Sequence, residues 1–256
     1  MKVVLGTYVA GNSILHRADV RVKILIALMI GITLFFITSA PVLAFVVALT
    51  VIAYFIAKIP FKTALKVMQP VFVIVAFTLL VQTFSLDGHF GYNPAGFFRG
   101  LFFVARILCV MGATGLLTLT TSVVDLSDAL ASLMRPLSRL KVPVEDIALM
   151  MSIGLRFIPT IAEELDRILL TQKMRGARFD EGSLYVRLIA WVPVFIPLFV
   201  GMFRRADSLA LAMEARGYTG EARTRLNQRD MKRKELIAVI ACLLLCIALI
   251  VVSRVL

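Results

Sequence analysis

Residues 236–252 run through leucine, isoleucine, valine, alanine and cysteine without one charged or amide side chain. A segment of that length and polarity can satisfy its own backbone in a bilayer only as a helix, and it is long enough to span. Four more apolar runs, at 24–38, 42–57, 67–84 and 97–120, precede it. Across all 256 residues, 60% are hydrophobic and 17% charged, with mean hydropathy +0.91, a balance that excludes a soluble domain. The chain is expected to be an all-α integral membrane protein with about five transmembrane helices.

The order of charges sets the topology. A polar opening with Gly11, Asn12, Ser13, Leu15, His16, Arg17, Asp19, Arg21 and Lys23 abuts the first run directly, so no cleavable signal is expected. Ser39, Ala40 and Pro41 make a tight turn to the second run, and Asp87, Gly88, His89, Gly91, Asn93 and Pro94 make a polar turn before the fourth. Arg17, Arg21, Lys23, Lys58, Lys62 and Lys66 fall on one side of this arrangement, whereas the other has only Arg99. Loops rich in Lys and Arg stay in the cytoplasm, which puts the amino terminus there. The net charge of +12 is read as a report of topology, and no nucleic-acid partner is expected. From 122 to 235 charges of both signs become dense, giving three parts: a four-helix transmembrane part at 1–121, a cytoplasmic region at 122–231 and a last transmembrane helix at 232–256.

Within the charged region, 184–203 is apolar apart from Arg187 and would pass as a span. Crossing alone, it would put Arg204, Arg205, Arg216, Arg223, Arg225, Arg229, Lys232, Arg233 and Lys234 outside. Crossing together with 143–161 would bring Glu145, Asp146 and Arg156 into the bilayer. Both segments are therefore expected to stay at the cytoplasmic surface, the second bent by Pro193 and Pro197. A shorter amphipathic helix, 125–140, precedes them, with Asp125 as cap, a stripe of Leu126, Leu130, Leu133, Met134 and Leu137, and an interruption at Pro136. The expected total is three amphipathic cytoplasmic coupling helices between spans four and five.

The two long helices end alike, the first at Met174, Arg175, Gly176 and the second at Ala215, Arg216, Gly217. Glycine accepts the left-handed conformation that follows a last helical turn, so each end presents an arginine. One such end is ordinary helix termination; two on successive long helices present two arginines. No catalytic pattern accompanies them: the chain lacks a G-x-x-x-x-G-K-[ST] loop, an H-E-x-x-H pair and a G-x-S-x-G turn. Cys109, Cys242 and Cys246 lie in apolar runs, and His16 and His89 are far apart, so neither a metal site nor any cofactor is expected. Arg106 is the one clear charge inside a span, and snorkelling toward a surface or a bond to a neighbouring carbonyl is its simpler reading. Gly96 and Gly100 allow close packing at the start of span four.

These residues carry a resemblance. The paired Arg-Gly ends resemble the Ala-Arg-Gly motifs of the transmembrane T component of energy-coupling factor (ECF) transporters, which are ABC-type importers. Leu155, Arg156, Phe157, Ile158, Pro159, Thr160, Glu163 and Glu164 are similar to the family's helix leading to the first motif. Leu15, His16, Arg17, Asp19, Arg21 and Lys23 are similar to its amino-terminal signature, and Val142, Pro143, Val144 and the tail 220–225 also match. Met174 stands where alanine is usual, and Val20 where proline is common. The resemblance implies a non-catalytic subunit of a prokaryotic plasma membrane that joins two cytoplasmic ABC-type ATPases to a small substrate-binding S component for vitamin or metal-ion uptake. It further implies that Arg175 and Arg216, with Met174, Gly176, Ala215 and Gly217, dock the ATPases. The rival reading is a self-contained carrier or channel, which the lack of paired intramembrane charges disfavours.

Overall fold

The computed structural model describes residues 11, 13–85, 91–92, 94–177, 179, 183–219 and 233–255. Expectations at Asn12, Asp87, Gly88, His89, Asn93 and along 220–225 fall outside that set. The described residues form α1 (Ile14–Arg17), α2 (Val20–Phe36), α3 (Ala40–Ala57), α4 (Phe61–Thr83), α5 (Pro94–Thr120), α6 (Val123–Leu133), α7 (Val144–Met174), α8 (Leu184–Ala215) and α9 (Arg233–Val255). A 3₁₀ segment, Arg135–Leu140, follows α6. The architecture is that of an all-α membrane protein, as hydropathy requires. One small addition is an antiparallel pairing of Phe84 with Tyr92 and Ser85 with Gly91 across the polar turn.

Among the described residues, four helices are long and apolar enough to cross a membrane: Ala40–Ala57, Gly96–Thr120, Tyr185–Ala215 and Glu235–Val255. A fifth span is available if the two arms of α4, which meet at 60° around Pro70, count as one. Proline removes a backbone donor there and its ring crowds the preceding turn. The run at 24–38 corresponds to α2, whose 17 residues lie at the lower edge of spanning length. The chain divides into two compact units, at Ala129/Leu130 and at Gln228/Arg229.

In the unit that holds α1 to α5 and α9, the core forms where Leu34 and Ile37 meet Val42, Leu43, Val46 and Cys109. Close approach depends on glycine at two interfaces. A Cβ on Gly112 would lie 3.1 Å from Thr50 Cγ2, and one on Gly115 would lie 2.9 Å from Tyr54 Oη, so α3 packs directly on the α5 backbone. Tyr54 uses that proximity to donate to the Gly112 carbonyl at 3.0 Å. Gly100 does for α4 what these do for α3, with Gln82 Cβ 3.1 Å from its virtual Cβ.

Helix ends in this unit are closed by side chains. Asp19 caps α2, accepting from the Arg21 N–H at 2.9 Å. Lys23 Nζ donates to the Thr120 carbonyl at 3.1 Å, so the start of α2 meets the end of α5. Arg106 donates through Nη2 to the Ile37 carbonyl at the end of α2, with its guanidinium 5.1 Å from the Phe102 ring centroid. This is one of the two uses expected for it. Ser253 Oγ accepts from Thr38 N at 2.8 Å and Ser39 N at 3.3 Å, which sets the end of α9 beside the α2–α3 turn. Hence α9 runs parallel to α2, and its first residue lies at the end of the bundle where α5 finishes. The chain leaves the bundle and returns to it on the same side.

The short amphipathic helix differs from expectation at both ends. Ser122, not Asp125, is the cap: Ser122 Oγ accepts from Asp125 N at 3.2 Å and donates to Asp125 Oδ2 at 2.7 Å. The α-helix stops at Leu133 because Pro136 has no N–H for the next rung, and the stripe continues only as the 3₁₀ segment. A Gly112→Leu substitution is expected to overpack α3 against α5 and cost about 1–3 kcal/mol. Gly31→Ala, in open space on α2, is expected to raise stability by about 0.5–1 kcal/mol. Thermal unfolding in detergent should therefore move in opposite directions for the two.

Candidate functional site

The second unit is built on α7 and α8, of 31 and 32 residues. Glu145 and Asp146 in the first turn of α7 and Lys173 in its last turn match the helix dipole. Three contacts give the relative direction of the helices: Gln172 with Pro193, Glu164 with Arg205, and the Phe157 ring under Arg205. Residue numbers rise on one helix as they fall on the other, so the pair is antiparallel. Pro193 and Pro197 sit inside the one α-helix Leu184–Ala215. A recess of about 340 Å³ lies between the helices, lined by Ile153, Phe157, Ala206, Leu209 and Met213 among others.

One contact repairs a defect that the prolines create. Pro197 has no N–H for the carbonyl four residues earlier, which belongs to Pro193. Gln172 Nε2 donates to that carbonyl at 3.4 Å from α7. Seven residues further on, past the glycine, Phe179 is buried with its ring 5.5 Å from Trp191, and Trp191, Phe195 and Phe199 continue as an aromatic row along α8. The carboxyl end of α7 is thus fastened to the first turns of α8 on both sides of Arg175. At mid-length Arg205 pairs with Glu164 at 2.9 Å, and the missing side chain of Gly201 leaves room for that carboxylate. Both partners are over a third exposed, so the pair is worth no more than about 1 kcal/mol.

The two arginine ends have the same backbone. Arg175 is the C-cap of α7 at φ −81°, ψ 5°, and Arg216 the C-cap of α8 at φ −90°, ψ 9°. Gly176 follows at φ +84° and Gly217 at +73°. In the first, Gly176 N donates to Lys173 O and Ala177 N to Gln172 O, both at 3.0 Å. In the second, Gly217 N donates to Glu214 O at 2.9 Å and Tyr218 N to Met213 O at 3.0 Å. Each is a complete Schellman closure, which spends the last carbonyls internally and leaves the arginine side chain free of backbone duty. Arg175, Arg216, Met174 and Ala215 are exposed, Met174 at 74%. Neither arginine forms an ion pair with another described residue. Because the helices are antiparallel, the ends lie about 35–40 Å apart along the hairpin.

Comparison with known proteins follows this geometry. A family model described as CbiQ, cobalt transport protein, matches residues 11–226. The chain belongs to the CbiQ family. It is 40% identical over 255 residues to the energy-coupling factor transporter transmembrane protein EcfT of Brevibacillus brevis, covering 96% of each chain. It is 36% identical to EcfT of Clostridium kluyveri, over 99% of this chain and 97% of the relative. For EcfT of Limosilactobacillus fermentum the identity is 38%, over 100% and 98%. As a CbiQ-family protein the chain is a transmembrane transport component and not an enzyme. No group of three or more potential metal ligands occurs among the described residues.

Sequence reasoning located both arginine ends but not what holds the first one. Gln172, Phe179 and Trp191 carry no motif; Pro197 announces an orphaned carbonyl, while the donor that reaches it depends on the antiparallel register. Lys23, read as a topology charge and part of a signature, also closes α5. Gly176→Ala and Gly217→Ala would each force a Cβ into the left-handed region at a cost of about 1–2 kcal/mol. Faster amide hydrogen exchange confined to the last turn of the altered helix is the expected result, and an asparagine at either position should restore most of the protection.

Proposed function

We propose that this chain is the scaffold and energy-coupling subunit of an ECF-type importer, linking two cytoplasmic ATPases to a substrate-binding S component for vitamin or metal-ion uptake. Arg175 and Arg216 dock the ATPases, with Met174, Gly176, Ala215 and Gly217 shaping the two ends. The observation that carries this reading is the pair of matched closures. Two antiparallel helices of nearly equal length, each ended by the same motif, have an approximate local two-fold axis. A dimer of ATPases has one as well, and each subunit would meet the same element. Arginine suits the contact because its planar guanidinium makes bidentate bonds to carboxylate and stays charged when desolvated. The names of the relatives, transmembrane proteins of energy-coupling factor transporters, support the same assembly.

The order of charges and the bundle's chain ends support the following membrane placement. Residues 1–121 form the transmembrane part with a cytoplasmic amino terminus, 122–231 the cytoplasmic coupling region and 232–256 the final span, in the plasma membrane of a prokaryote. Since the chain leaves and re-enters the bundle on one side, the intervening region crosses an even number of times. Helix α8 is apolar enough to cross, but α7 would have to cross with it and is not among the helices that qualify. Zero crossings is therefore favoured, with the apolar surface of α8 covered by the S component or lying against the membrane.

Removing one buried partner of an interfacial charge pair costs about 2–5 kcal/mol, roughly 30-fold or more in affinity. Arg175→Ala and Arg216→Ala are each expected to reduce co-purification of the ATPases by that factor, and the double variant to abolish it. Arg→Lys at either site should recover only part, because lysine cannot bond bidentately. Full recovery of ATPases with the double variant would refute the assignment, and purification of the chain alone, active in substrate uptake, would favour a self-contained carrier.

A further inference from the structure

The 3₁₀ segment Arg135–Leu140 and the residue after it carry Arg135, Arg139 and Lys141, and no carboxylate occurs between Asp128 and Glu145. All three cations are exposed, and none pairs with a carboxylate of another described residue. Leu137 is 40% exposed and Leu140 77%. Residues three apart eclipse in a 3₁₀ helix. Leu137 and Leu140 therefore stand in one row, with Arg135 on one side and Arg139 on the other, and Lys141 follows at the closing turn. The shape is fixed by Pro136 near the start and by Lys141, which closes the turn at φ 62° and donates its N–H to Ser138 O at 3.1 Å.

We propose that this ridge is a contact site for an anionic phospholipid surface, with the two leucines entering the headgroup layer and the three cations pairing with lipid phosphates. An apolar row with cations on both sides is the chemistry of an interfacial segment. An acidic protein face would use the cations but leave Leu140 in water, and an apolar partner helix would strand the cations. The membrane is within reach along the chain: α5 ends at Thr120, and the 11 residues of α6 cover only about 17 Å. Val124 and Leu130 on α6 are exposed as well. The proposal rests on α5 crossing the membrane and on no assignment of partner subunits.

The test uses the full chain, with its three native cysteines replaced by alanine, in vesicles of phosphatidylcholine alone or of phosphatidylcholine with phosphatidylglycerol. An environment-sensitive fluorophore is attached through Leu140→Cys and, in a second variant, through Leu137→Cys. Emission should shift to the blue, and be quenched by nitroxide lipids labelled near the headgroup, only when phosphatidylglycerol is present. About 1 M salt, where the screening length falls to roughly 3 Å, should reverse the shift. Each cation is worth roughly fivefold in surface partitioning, so Arg135→Gln, Arg139→Gln and Lys141→Gln together should weaken it on the order of 100-fold. Emission that is the same in both lipids, or unchanged in the triple variant, would overturn the proposal. So would a shift that appears only when ATPases or an S component are added, since the occupant would then be protein.

Discussion

Carbonyls at helix ends are the constraint on which this molecule turns. A helix leaves its last carbonyls without partners, and inside a bilayer water does not supply them. Each unit answers differently. In the bundle, long side chains reach across from neighbouring helices: Lys23 to Thr120, Arg106 to Ile37, and at the adjoining α2–α3 turn Ser253 takes up two free N–H groups. Every one of these bonds joins two elements, so closing a helix and fixing the bundle are the same act. In the α7–α8 pair the backbone closes itself around a glycine, and the side chain at the cap stays available. The same requirement produces a rigid bundle in one unit and two presented cations in the other.

That division explains how much was legible in the sequence. Apolar run length gives the helices of the bundle, because a bilayer leaves no alternative to helix, but it does not separate α8, which is also long and apolar enough, from a span. The glycine after each arginine gives the closures, because a positive φ singles out that residue. The short helix was misread at both ends for a local reason: Ser122 and Asp125 are both good caps, and the capping pattern of a serine three residues before an acid favours the earlier one. Pro136 looked like an interruption within a helix but converts the turn to 3₁₀. What no local pattern supplied was register. Whether Gln172 reaches the carbonyl freed by Pro197, or Ser253 reaches Thr38, is decided by how helices far apart in sequence lie against each other.

The α7–α8 pair has specific bonds at one end and looser packing elsewhere. Near Arg175, Gln172 and Phe179 tie α7 to Pro193 and Trp191. Toward Arg216 the pair encloses the recess that Phe157, Ala206 and Met213 line, and at mid-length the exposed Glu164–Arg205 pair contributes little. A recess and a weak, exposed ion pair leave the helices free to shift there, whereas their internal hydrogen bonds resist bending. If ATPases hold the two arginine ends and pull on them, the softest response is a swing of α8 relative to α7 on the recess side, with the fastened end as pivot. Each Schellman closure keeps the guanidinium base fixed to its helix, so the displacement would pass into the helix instead of being lost in a flexible turn. Whatever rests on the apolar length of α8 would feel that swing.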